Sequence, residues 1–336
     1  MSTSATKAPI GFADIARWGF WVPLRRTLPV GAPHIIRQLY RAWHVQHLVA
    51  RQGRDLMLDE FQRCFADAYS EKGYQGIIRD AYRASWRVHL DELLLGKVDA
   101  TSVDHYIQFN GIAHLQSALE RGKGVVWLYP HAGPVMMMMA WLGLHEFPYT
   151  QYAARGLAPE DVAKDHPELL ASNTLREAVR LAREENEDRL PVNFVTLEQS
   201  ARTLYRCLAA NELVGIAFDG RIGNKWVPTS FLGRQSLLNP GPYRLAASTG
   251  AAIVPAFCHT PASGPAICEV GAPILPTTDP MSLMEQVVAV QEAWIRRWPE
   301  EYGIWMLHAR TRNRIDDHPL FVDHAEDDRW KRWVPQ

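Results

Sequence analysis

Apolar residues recur at steps of three and four from Pro33 to about Gly96. They fall at Ile35, Ile36, Leu39, Tyr40 and Trp43, then Leu58, Phe61, Cys64 and Phe65, then Ile77, Ile78, Tyr82 and Trp86. That period predicts helices laid on a core by one face, with Ser70-Glu-Lys-Gly73 as a break between them. After Asn110 the texture changes. Ile112 to Arg121 reads as a helix closed by Gly122, and Gly124 to Tyr129 as a buried strand. Pro130-His-Ala-Gly-Pro134 is a sharp loop, and Val135 to Leu144 an apolar helix. Thr196 and Gln199 have capping-box spacing, which predicts a helix from Thr196 to Asn211. Further strands are expected at Leu213 to Phe218, Ala252 to Phe257 and Ile267 to Val270. Pro242 to Ser248 opens a helix and Met281 to Trp298 is an amphipathic one. The acidic stretch Glu184 to Asp188 reads as a solvated helix end.

Helices alternating with continuous apolar strands predict an α/β fold: a mixed, largely parallel central sheet flanked by helices. A helical region precedes it. The expected division is residues 1–110, helical and membrane-associating; 111–315, the α/β core; and 316–336, a C-terminal tail.

Composition adds two qualifications. Lys and Arg total 36 against 37 Asp and Glu, a net charge of −1 that excludes a generally basic nucleic-acid binder. Yet the first 54 residues hold Lys7, Arg17, Arg25, Arg26, Arg37, Arg41, Arg51 and Arg54 against Asp14 alone. With Trp at 12 positions, a basic, Trp-bearing end points to an anionic membrane surface as partner. Trp18, Phe20, Trp21, Val22 and Leu24 would then lie on a surface helix, or else dock on the protein's own core. No apolar run reaches the roughly 18 to 20 residues of a spanning helix. The four cysteines form no CxxC pair and the 13 histidines no HExxH motif, so a metal is not expected.

Ligands of open α/β sheets gather beyond the carboxyl ends of strands. Two strands end in polar residues, Tyr129-Pro130-His131 and Phe218-Asp219-Gly220-Arg221. His131, beside a tight Gly133-Pro134 turn, is a candidate general base. A histidine there also serves structure, and Asp219 serves equally as a cap.

Residues 121–131, Arg-Gly-Lys-Gly-Val-Val-Trp-Leu-Tyr-Pro-His, resemble the first motif of the lysophospholipid acyltransferase superfamily. The pattern is most similar to its bacterial lipid A late acyltransferase (lauroyl/myristoyl) branch. Similar blocks follow in order: Leu213–Gly220, Phe231-Leu-Gly233, Leu245-Ala246 with Thr249–Pro255, and Gln291-Glu292, Pro299-Glu300, Trp305, His308, Arg310 and Arg312. The likeness spans roughly residues 20–315. It implies a glycerolipid acyltransferase-like fold and transfer of an acyl group from an acyl-carrier-protein or coenzyme A thioester to a hydroxyl or amine acceptor. It implies no cofactor beyond the donor's pantetheine arm, and a peripheral seat on the cytoplasmic side of the inner membrane.

One position departs from that pattern. The branch carries an acid five residues after the histidine, where this chain has Met136. The acid orients the histidine and stabilises its imidazolium. Either another acid replaces it, Asp219 first and Glu146 second; or His131 works alone on a more reactive donor or a more nucleophilic acceptor such as the amine of a secondary metabolite, in an acyl or aminoacyl transfer; or the protein binds a lipid or carrier without catalysis. A carboxylate within about 4 Å of His131 favours the enzyme.

The remaining candidates are for substrate. Met136 and Met139, in the run Val135–Ala140, either line an acyl-chain groove or pack as core. Gly220, Arg221 and Lys225, together with Arg155, are candidates for an anionic group. His308, Arg310 and Arg312 alternate as in a strand, which would set them on one face, either toward donor phosphates or as a cap on the sheet edge.

Overall fold

A computed structural model describes residues 8–30, 39–153, 172–196, 199, 201–221, 223–311 and 318–334. The N-terminal part is helical, with α1 (Phe12–Gly19), α2 (Trp43–Val49), α3 (Arg51–Phe65) and α4 (Glu71–Glu92). The break before α4 is its cap: Ser70 Oγ accepts from the Gly73 N–H. Then come β1 (Ile107–Asn110), α5 (Ile112–Leu119), β2 (Val125–Tyr129), α6 (Val135–Leu144) and β3 (Tyr149–Tyr152). Next are α7 (Thr174–Asp188), β4 (Asn193–Val195), α8 (Arg202–Ala209) and β5 (Leu213–Ala217). A hairpin of β6 (Val227–Phe231) and β7 (Arg234–Leu238) follows, then α9 (Gly241–Thr249), β8 (Ala252–His259) and β9 (Ala266–Val270). Last come α10 (Pro280–Arg297) and α11 (Pro299–Thr311).

Among the described residues the sheet runs β1-β9-β8-β2-β5-β3-β4. The run β8, β2, β5, β3, β4 is parallel, β9 is antiparallel to β8, and β1 is parallel to β9. This is the expected mixed, largely parallel α/β sheet. Every residue of β2 and β8 is buried, as strands covered on both faces require. Alternation along β2 divides the core: Val126 and Leu128 join one apolar cluster, Val125, Trp127 and Tyr129 the other.

The helices before the sheet reach its functional end through α11. Gly303 of α11 lies where a Cβ would come within 2.9 Å of Phe61 on α3 and 3.0 Å of Ala81 on α4, so the helices meet closely there. Gln291 of α10 donates to the carbonyls of Leu128 and Ala256, and Glu292 accepts the Leu232 N–H in the turn between β6 and β7. These two members of the C-terminal motif thus brace the fold.

Several expectations need correction. The helix expected from Thr196 begins at Arg202, so the Thr196–Gln199 spacing is not its capping box. The segment expected to alternate as a strand is the last turn of α11, which places His308 and Arg310 on a helix; Arg312 lies outside the described residues. Glu184 to Asp188 does end α7, but it is only partly solvated: Asn186 is buried and Glu185 pairs with Arg25 at 2.5 Å. The N-terminal apolar set divides. Trp21 is buried, Phe20 and Leu24 pack on the second cluster, and Val22 is half-buried. Trp18 stays exposed, with Ile10, Phe12 and Ile15. Among the described residues, no helix is long and apolar enough to cross a membrane.

Candidate active site

Strand pairing brings the two polar strand ends together. β2 and β5 are parallel neighbours with Tyr129 opposite Ala217, so His131 and Asp219 each stand two residues beyond a matched pair. Their side chains meet: Nδ1 of His131 is 2.7 Å from Oδ1 of Asp219. The His131 backbone N–H also donates to the same carboxylate, 3.0 Å from Oδ2. The Tyr302 hydroxyl donates to Oδ2 at 2.9 Å from α11. Asp219 is fully buried, whereas the His131 side chain is 35% exposed.

This arrangement fixes the chemistry of the ring. A carboxylate at Nδ1 calls for the tautomer with its proton there, which leaves Nε2 as the acceptor. Among the described residues no hydrogen bond engages Nε2. One ring face lies flat on Trp305, centroids 3.7 Å apart and planes 11° off parallel. The loop reaches this pose through Gly133, at φ +63°, where a Cβ would collide with the Cys258 carbonyl. The neighbouring phenols respond to the buried carboxylate. Burial first, and the Asp219 charge second, push the Tyr302 hydroxyl well above its usual range.

The other expected residues separate. Gly220 lies beside the ring: a Cβ there would be 3.8 Å from Cε1 of His131. Met136, at the start of α6, packs half-buried against the second cluster, while Met139 is buried within it. Met139 is therefore core rather than groove lining. Glu146 is exposed beyond the far end of α6 and is not the partner of His131. Arg221 is turned inward, donating to the carbonyls of Leu237 (2.8 Å) and His318 while its guanidinium covers the Trp226 ring. That corrects the expectation of an anion fork. Lys225 is exposed in the chain before β6. Arg155 lies outside the described residues. Arg310 pairs with Glu60 at 3.2 Å and Asp59 at 3.4 Å.

Tyr302 was not singled out by sequence reasoning, and Trp305 only as a motif member. The signal lay in their three-residue spacing after Pro299-Glu300-Glu301, a helix start that sets both on one face.

The profile of the bacterial lipid A biosynthesis acyltransferases matches residues 32–313. The chain belongs to that family. Over 182 residues it is 28% identical to the phosphatidylinositol mannoside acyltransferase of Mycolicibacterium smegmatis, a match covering 53% of each chain. Over 151 residues it is 29% identical to the protein of the same name from Mycobacterium tuberculosis, 44% of this chain and 42% of the relative. The chain thus spans about half the length of these curated relatives. In this chain the acid that faces His131 follows the end of β5 and does not come from the first turn of α6.

Proposed function

We propose that the protein is an acyltransferase in which His131 is the general base and Asp219 its orienting acid. The acyl donor is a thioester of acyl carrier protein or coenzyme A. The observation that carries this reading is the 2.7 Å contact between Nδ1 of His131, a partly exposed ring, and a fully buried carboxylate. A carboxylate so close favours catalysis over a merely lipid- or carrier-binding role.

In the proposed step Nε2 removes the acceptor's proton as its oxygen attacks the thioester carbonyl carbon. The tetrahedral intermediate then collapses: the C–S bond breaks, and the departing sulfur takes the proton back from Nε2. The products are an ester and a free thiol, and the imidazole is regenerated. Asp219 holds the tautomer and offsets the imidazolium charge between the two transfers. The names of the mycobacterial relatives favour a hydroxyl on a glycosylated lipid as acceptor over an amine.

We also propose a peripheral seat on an anionic membrane surface, on its cytoplasmic side. Two exposed apolar rows support it: Phe12 and Ile15 with Trp18 on α1, and Val45, Leu48 and Val49 on α2, each at helical spacing. Arg17, Arg26, Arg41 and Arg51 are exposed in the same part of the chain.

The test is thioester consumption by the purified protein and by His131→Ala. Both donors are offered with lipid hydroxyl and amine acceptors. Turnover abolished in the variant is the expected result, and the acceptor consumed names the substrate class. Equal turnover by both proteins would remove His131 as the base.

A further inference from the structure

We infer that Trp305 is a positioning residue for the His131 base: its indole face fixes the plane of the imidazole and stabilises the imidazolium formed during transfer. The inference deepens the function proposed above and rests on that reading.

The contacts around His131 leave one task to Trp305. Asp219 holds Nδ1 from one edge, and a Cβ at Gly220 would stand 3.8 Å from Cε1. An edge hydrogen bond sets the direction of Nδ1 but leaves the ring free to roll about it. The flat contact with Trp305, at 3.7 Å and 11°, removes that freedom and so aims Nε2. The same contact changes with protonation. An indole face presents negative potential, which attracts an imidazolium more than a neutral imidazole. It is therefore stronger after proton transfer than before, the condition an interaction must meet to accelerate a reaction.

Packing alone does not account for a tryptophan here. Trp305 Nε1 is buried without a hydrogen-bond partner among the described residues. Phenylalanine would fill apolar space without leaving a buried donor unpaired. What tryptophan adds is the strongest cation–π face among the side chains. It lies three residues after Tyr302, so one face of α11 presents a phenol to Asp219 and an indole to His131.

Other titratable groups surround the pair. Asp219 comes from the end of β5 and Tyr302 from α11, and His308 lies parallel to Trp305 at 4.9 Å. Arg221 follows Asp219 but is held by the Leu237 and His318 carbonyls. Of these, Asp219 is the group hydrogen-bonded to His131.

The experiment compares the wild-type protein with Trp305→Leu and Trp305→Phe. Readouts are the NMR titration of the His131 Cε1 proton, assigned by its loss in His131→Ala, and the pH dependence of kcat/KM. In Trp305→Leu the midpoint should move about one pH unit lower, equivalent to a tenfold loss of basicity. The resonance should move downfield as the ring current is lost, and the acid limb of kcat/KM should follow the midpoint. Trp305→Phe should recover part of the shift. Should Trp305→Leu fail to fold, 5-fluorotryptophan, which weakens the face without removing it, should give a smaller shift of the same sign. An unchanged midpoint in the leucine variant or in the fluorinated protein overturns the inference, even if activity falls, because ordinary packing would then explain the loss. The titration needs no turnover. A His131→Ala enzyme that stayed active would sink the proposed function separately, leaving the midpoint to judge Trp305.

Discussion

Asp219 and Glu301 are both buried carboxyls near α11, and their surroundings set them apart. Asp219 receives donors on both oxygens, from the His131 ring and backbone and from Tyr302. Glu301 accepts from the Thr260 N–H (2.5 Å) and hydroxyl on Oε1, while its buried Oε2 has no partner among the described residues. Burial outweighs those bonds and pushes the Glu301 acid from 4.5 up to about 7; the charges of Glu300 and Arg83 act in opposite directions. The folded state therefore binds this proton more tightly than the unfolded chain. The stability it contributes is complete below about 4.5 and is lost as pH rises through about 7. The loss is on the order of 3 kcal/mol. Thermal melts of wild type and Glu301→Gln check this: the variant should show a flatter profile between these two pH values. Parallel profiles would contradict the assignment.

At the scale of elements, α11 is the lever of the site, and a buried ionic cluster anchors its far end. Glu60 of α3 is fully buried and meets Arg234 of β7 at 2.6 Å, His324 at 3.0 Å and Arg310 of α11 at 3.2 Å. Removing one member of such a cluster leaves its partners uncompensated. Arg234→Ala should therefore destabilise the fold by about 3–5 kcal/mol in urea titration. Arg310, at the edge of the cluster, offers a sharper check. Arg310→Ala should lower stability while KM for the thioester stays within about twofold, since its guanidinium is engaged by carboxylates. A large rise in KM with stability intact would restore the expected phosphate role.

These elements were legible in the sequence to different degrees. β2, β5 and β8 announce themselves because strands covered on both faces are continuous apolar runs. α11 is not legible from the alternation of His308, Arg310 and Arg312, which suggests a strand but is too short to fix a period. The firmer cues were Pro299 at the first turn, Glu300 and Glu301 after it, and His308 and Arg310 in the last turn, where a helix favours them. Asp219 was nameable as a candidate from its place after a strand. Its pairing with His131 depends on β2 and β5 being neighbours, although β3 and β4 intervene in sequence, and no local pattern carries that order.

At the scale of the whole molecule, charge and exposure divide the N-terminal part. Asp14 anchors α1 to α7 through Arg176 (2.8 Å) and Asn173 (3.0 Å), and Arg25 is buried against Glu185 and Asn186. Some of the basic excess is thus spent within the fold. Of the large apolar side chains most exposed among the described residues, Ile10, Phe12, Ile15, Trp18, Val45, Leu48 and Val49 all lie before Ala50; Leu181, Tyr205 and Leu275 are scattered. That concentration is what an interfacial segment requires. Vesicle sedimentation tests it. Wild type should bind vesicles rich in anionic lipid, more weakly at high salt. Phe12→Ser combined with Leu48→Ser should weaken binding at least tenfold, since each buried apolar side chain contributes about 1.5–3 kcal/mol. Melting should change little because both side chains are exposed. Unchanged binding by the double variant would contradict the proposed membrane face.

The central claim, that a carboxylate from β5 does the work of the family's missing motif acid, is tested most directly by Asp219→Asn. Thioester turnover would be measured at saturating donor and acceptor, with His131→Ala as the floor and circular dichroism to confirm folding. The expected result is a fall in kcat of roughly 10³–10⁴-fold, since an amide can leave the imidazole in the wrong tautomer and cannot offset its charge. A folded Asp219→Asn protein that keeps more than about a tenth of wild-type kcat would contradict it.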